Sequence, residues 1–183
     1  SNNAITGAVP DLSNVSAVFI PAGTTVTFNQ SNLSGLAEAG IVNITSLTGG
    51  SLNLSNGALS GTNINLANLN TSAGTTLTSS TGVTVAPVTG TTNTIAGVLA
   101  GAGYLTKNEA CTLVLSGQNT YSGVTNINAG VLSISADDNL GAVPGATTAN
   151  SLNINGGTLL VTNDVTLDSK RGISLGANGG TFD

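Results

Sequence analysis

The sequence predicts an all-β chain folded as a right-handed parallel β-helix, a β-solenoid with short strands and variable corner loops. Three observations carry this expectation. Short apolar pairs with a period of two recur along the chain. The positions between them are Asn, Ser and Thr, side chains that form ladders when coils stack in register. The chain also repeats itself loosely, as solenoids do.

The strands follow in order. Val26 and Phe28 alternate with Thr25 and Thr27, Leu52 and Leu54 flank Asn53, and Ile64 and Leu66 flank Asn65. The pairs Val83/Val85, Leu113/Leu115, Leu132/Ile134, Leu152/Ile154, Val165/Leu167 and Ile173/Leu175 repeat the pattern. Alternate residues of a strand point to opposite faces, so each pair sends two apolar groups to one side. Turn residues follow at Ser55-Asn56-Gly57, Asn155-Gly156-Gly157 and Asn178-Gly179-Gly180. An apolar stripe of helical period is missing; Ser34 to Ala39 is the one candidate helical turn.

A sandwich or barrel also uses many short strands. Strands of three to five residues with few aromatics favour the solenoid. The segment Ser51-Leu52-Asn53-Leu54-Ser55-Asn56-Gly57 is echoed by Ser151-Leu152-Asn153-Ile154-Asn155-Gly156-Gly157. That offset predicts about five coils of roughly 20 residues. A coil of this size cannot bury its own apolar face, so neighbouring coils must cover it.

Composition agrees and excludes several functions. Charged residues make up 6% of the 183-residue chain, against roughly 25% in an ordinary soluble domain. Mean hydropathy is +0.29 and net charge −5, unlike a disordered chain, which combines low hydrophobicity with high net charge. The cations are Lys107, Lys170 and Arg171, too few for nucleic acid or an anionic membrane surface. Cys111 is the single cysteine, so an internal disulfide is impossible. No apolar run approaches the roughly 18 residues that span a bilayer. No signal peptide stands at Ser1, so the chain is expected to be mature after cleavage or cut from something longer.

Residues 101–130 carry a denser pattern. Gly101-Ala102-Gly103-Tyr104-Leu105-Thr106-Lys107 is followed by Thr112-Leu113-Val114-Leu115-Ser116-Gly117. Asn119-Thr120-Tyr121-Ser122-Gly123 and Thr125-Asn126-Ile127-Asn128-Ala129-Gly130 complete it. This run resembles the autotransporter-associated β-strand repeat. The ending Gly179-Gly180-Thr181-Phe182-Asp183 resembles the lead-in to another copy. The resemblance implies a Gram-negative surface protein of type V secretion, whose β-helical passenger is exported through its own C-terminal membrane β-barrel. It also implies a repeat concerned with passenger folding and transport. The chain then reads as one passenger segment, 1–183, with divergent coils at 1–94, the repeat at 95–141 and following coils at 142–183. In one place the pattern departs: Glu109 and Cys111 stand where the family has glycine. Where those glycines require a positive φ, the backbone here is expected to differ.

Few residues offer chemistry. With no His, Ser-His-Asp and Cys-His arrangements are impossible, as are His-based metal sites. Asp137 and Asp138 form the one adjacent carboxylate pair and read as solvated loop acids, with Arg171 and Lys170 far away in sequence. Asp137, Asp138 and Asn139, joined by Asp164 and Asp168 from a stacked coil, would be the candidate oxygen ligands for calcium, which takes 6–8 oxygens. Cys111 reads as a small, partly buried core residue, since Lys107 is the one nearby cation that could activate its thiol. Ser169 and Lys170 read as strand neighbours pointing apart. Gly97 to Gly103 lacks the Gly-Lys-Ser/Thr of a phosphate loop and reads as a coil corner. Tyr104 and Tyr121 read as corner packing. The steps Thr25/Thr27, Thr76/Thr78 and Thr92/Thr94 are unevenly spaced, against a continuous ice-binding array.

The sequence therefore predicts no catalytic, cofactor-binding or metal residue. It points to a non-catalytic, surface-displayed passenger segment acting as rigid stalk and adhesin. Its expected partners are the C-terminal barrel, not in this chain, and host-cell or neighbouring-cell surface molecules or like chains. A self-assembling extracellular fibre or surface-layer subunit is one alternative, and a β-helical carbohydrate-active enzyme another.

Overall fold

In the computed structural model, residues 17–29, 42–56 and 58–183 are described, with side chains from residue 64 onward. The strands are β1 (Ala17–Asn29), β2 (Val42–Asn56), β3 (Ala58–Thr71), β4 (Thr76–Val85), β5 (Thr92–Ile95), β6 (Val98–Ala100) and β7 (Tyr104–Lys107). They continue as β8 (Thr112–Leu115), β9 (Thr125–Ile127), β10 (Val131–Ile134), β11 (Thr148–Ile154), β12 (Thr158–Val161), β13 (Arg171–Leu175) and β14 (Thr181–Phe182). Strand pairs are parallel, and each joins one coil to the next. The chain is a parallel β-solenoid, as its alternation predicted.

Each coil runs over three faces. The first face stacks β1, β2, β3, β4, β7, β9, β11 and β13. On the second, β3, β5, β8, β10, β12 and β14 follow one another. The third carries the early parts of β2, β3 and β4, then β6. After β6 it continues through backbone bonds from Thr120 and Ser122 to the carbonyls of Leu99 and Gly101.

Because a coil has no second layer, its core is the stack of inward side chains. On the first face Ile64, Val83, Leu105, Thr125 and Leu152 form one column, and Leu66, Val85, Lys107, Ile127 and Ile154 the next. On the second, Leu113, Leu132 and Leu159 sit beside Ile95, Leu115 and Ile134. Each aliphatic member taken from water contributes about 1.5–3 kcal/mol. In the last coil Ile173, Leu175 and Phe182 are exposed, because no coil among the described residues lies over them.

The outward positions form the expected polar ladder. Asn126 donates to the Thr106 hydroxyl at 3.2 Å, and the Ser174 hydroxyl to Asn153 at 3.2 Å. At one level of the second face, side chains replace the backbone ladder. Between β3 and β5 the register pairs Thr71 with Ile95 alone. There Leu69 N donates to Asn93 Oδ1 at 2.7 Å and Thr94 N to Asn70 Oδ1 at 2.8 Å.

Some expectations are corrected. The strands β1 to β4 have 13, 15, 14 and 10 residues, because their backbone pairing runs on through the corners. Val165 and Leu167 lie outside any strand, although Leu167 still packs against the core. The echoing segments do not share a column: Leu52 pairs with Leu69 on the second face, whereas Leu152 pairs with Thr125 on the first. Their likeness reflects a common strand-and-turn grammar, not a fixed coil length. The Gly97 to Gly103 run holds a whole short strand, β6, between two corners. The candidate helical turn Ser34 to Ala39 lies outside the described residues.

Candidate functional site

Buried polar groups interrupt the aliphatic columns and corners from Thr71 to Arg171. Among the described residues, every buried side-chain nitrogen and oxygen has a hydrogen-bond partner. Burying a polar group without one would cost several kcal/mol.

Lys107 ends β7 in the same orientation as Leu105, so its side chain enters the core between Val85 and Ile127. It is fully buried. An ammonium offers three donors, and Lys107 Nζ uses them on the carbonyls of Asn108 (2.7 Å), Glu109 (2.7 Å) and Ala129 (3.0 Å). The first two belong to its own corner and the third to the corner of the next coil.

That corner carries the two departures from the glycine pattern. Glu109 has φ +63°, the one non-glycine positive φ among the described residues. The backbone is therefore left-handed at Glu109 although the residue is not glycine. A side chain in this region costs about 1–2 kcal/mol. Cys111 is buried, its backbone is not left-handed, and its Sγ lies 3.5 Å from Asn108 O. The next coil places Gly130 against the carbonyls of Glu109 and Cys111, too close for any Cβ.

One corner further on, Asn119 joins three coils. Its Oδ1 accepts from Leu99 N at 2.8 Å and its Nδ2 donates to Asn139 O at 2.6 Å. Asn139 returns a bond to Gly117 O at 3.0 Å and caps the backbone amides of Ser135 and Ala136. Tyr121 is buried beside it, with its hydroxyl 2.6 Å from Thr125 Oγ1. Burial pushes the phenol up to about 12, against smaller lowering effects of the Thr125 hydrogen bond and the Arg171 charge. Tyr104, by contrast, is partly exposed and lies over Gly82.

Asp137 and Asp138 open a short 3-10 turn, Asp137–Leu140. Asp137 is not a solvated loop acid: its Oδ1 takes Arg171 Nε at 2.8 Å and Asp168 N at 3.1 Å. Sequence distance misled, because solenoid stacking brings the next coils back to the same corner. The Arg171 guanidinium also donates to the carbonyls of Asp137, Leu140, Gly141 and Ala142. The Arg171 guanidinium thus occupies the corner whose oxygens were the candidate calcium ligands. Asp168 reaches Asp137 through its backbone amide, and Asp164 is exposed. Among the described residues no group of three or more acids or cysteines is placed to hold a metal. Ser169 and Lys170 lie exposed in a turn, not a strand. The steps Thr76/Thr78 and Thr92/Thr94 lie on different faces.

The arrangement does mechanical chemistry: two buried cations and two buried asparagines tie the carbonyls of successive corners. Sequence reasoning missed Lys107 and Arg171 in this role. For Lys107 the clue was available, since it shares strand parity with Leu105.

Residues 105–134 match the passenger-associated transport repeat. They run from the second residue of β7 to the end of β10 and hold Lys107, Asn119 and Tyr121. Over 75 residues, 41% of this chain, the sequence is 43% identical to the adhesin BmaC autotransporter of Brucella suis biovar 1 (strain 1330). The matched region spans about 2% of that relative's length. No solved structure matches.

Proposed function

From a chain that carries a passenger-associated transport repeat within a parallel β-solenoid, we propose a non-catalytic passenger segment of an autotransporter. It serves as a rigid stalk on the Gram-negative cell surface and contributes to adhesion. The observation that carries this reading is the seamless insertion of the repeat. Strands β7 to β10 continue the faces begun by β4 and β5 and are continued by β11 and β12. The similarity to an autotransporter adhesin supports the adhesive part. Export through a C-terminal membrane β-barrel of the same protein completes the reading. The engagement of Lys107 and Arg171 by backbone carbonyls favours a structural role over acid–base catalysis.

Expression of the complete open reading frame in a Gram-negative host tests it. Protease added to whole cells should degrade this segment, and deletion of residues 58–183 should lower attachment to host cells. A segment protected from protease, or unchanged attachment after deletion, would sink the reading.

A second reading, a self-assembling fibre subunit, is favoured by the uncharged outward ladder of Thr106, Asn126, Asn153 and Ser174. Sedimentation across a wide concentration range decides: filaments support it, and a constant monomer removes it.

A further inference from the structure

Most columns of this solenoid are stacks of interchangeable aliphatic groups. Leu66, Val85, Ile127 and Ile154 differ little in shape. A coil displaced by two residues along its neighbour would still place apolar groups inward, because strand side chains alternate with a period of two. Aliphatic packing alone therefore specifies register weakly.

Lys107 breaks this degeneracy. It stands in the aliphatic column, and its ammonium is satisfied only where the carbonyls of Asn108, Glu109 and Ala129 converge. The Ala129 carbonyl belongs to the next coil. Slipping β9 by two residues along β7 would carry that carbonyl away by about two residue rises, roughly 6.6 Å. The buried cation would then lose a partner, which is strongly unfavourable. Single buried polar groups fix register in the same way in coiled coils, at a cost in stability.

We propose that Lys107 is the register pin of this solenoid, a device that selects one alignment of adjacent coils during folding. The proposal concerns specificity, so it stands or falls independently of the adhesive role.

Disulfide trapping tests it in a Cys111→Ser background. Neighbouring strands lie about 4.8 Å apart, so the in-register pair Thr106→Cys/Asn126→Cys can be bridged. The pair Thr106→Cys/Val124→Cys lies beyond the roughly 7 Å limit unless β9 slips by two residues. With Lys107 present, oxidation should close the first pair and leave the second open. With Lys107→Met or Lys107→Ile, both apolar and suited to the column, closure of the second pair should rise at least several-fold while circular dichroism stays β-rich. Folded variants that close the in-register pair alone would overturn the proposal. Failure of both variants to fold would also overturn it, since Lys107 would then be needed for stability and not for choice of register.

Discussion

Asn119 and Asn139 stand one coil apart at the same corner, and the side-chain amide of Asn119 donates to the carbonyl of Asn139 at 2.6 Å. Asn119 also accepts from Leu99 N in the preceding coil. One side chain thus satisfies buried backbone groups above and below it.

Replacing Asn119 with Ala leaves an amide and a carbonyl buried without partners. Each orphan costs about 1–3 kcal/mol, so Asn119→Ala should lower stability by about 2–6 kcal/mol. Asn119→Asp keeps the acceptor for Leu99 N, loses the donor to Asn139 O, and should also be destabilised. Urea unfolding followed by circular dichroism measures both, and an unchanged midpoint for Asn119→Ala would refute the expectation.

Glu109 should be improvable. Its φ of +63° strains a side chain but suits glycine. The relief of about 1–2 kcal/mol is partly offset by the greater unfolded-state freedom of glycine. Glu109→Gly should therefore raise stability by about 0.5–1 kcal/mol. A lowered melting temperature would contradict this.

Tyr121 predicts an alkaline transition. Its phenol is held up at about 12, above the ordinary tyrosine value of 10.0, by burial. The neutral form is favoured in the folded chain, so this contribution is fully present below pH 10 and is lost as pH rises towards 12. A shift of this size corresponds to roughly 3 kcal/mol. Tyr121→Phe should flatten that part of the stability–pH curve, at a cost of about 1 kcal/mol for the lost bond to Thr125. An equal alkaline slope in wild type and Tyr121→Phe would remove Tyr121 as its source.

Arg171 fastens the 3-10 turn to a later coil. Arg171→Met removes the partner of Asp137 and the donors to four carbonyls. Because Asp137 remains partly exposed, the loss should be at the lower end for a buried pair, about 3 kcal/mol. Hydrogen exchange should quicken first at Asn139 and Ala142, whose amides bond within or beside this corner. Unaltered exchange there would argue against the clamp.

What the sequence revealed follows from the range of each physical rule. Strand alternation is local, so Val83/Val85, Leu113/Leu115 and Leu152/Ile154 were readable as inward pairs, and they are buried. Val165/Leu167 alternate equally well yet form no strand, because pairing depends on a neighbouring coil that local pattern does not contain. Asp137 and Arg171 meet through loops of uneven length, and separation in sequence gave no measure of their contact. Glu109 was legible as an anomaly but not in its outcome: the corner's hydrogen bonds held the turn, and the side chain accepted the strain.

The asparagine bridges between β3 and β5 bear on how the rod carries load. Strand hydrogen bonds run from coil to coil, along the axis, so tension is shared among the three faces at each level. Where Asn93 and Asn70 replace the main-chain ladder, the second face is joined by compliant side chains, while β3 and β4 pair through eight register partners on the other two. At that level the rod has a soft side. Under a bending force it should flex there, opening along the second face before the β3–β4 pairing of the same level yields.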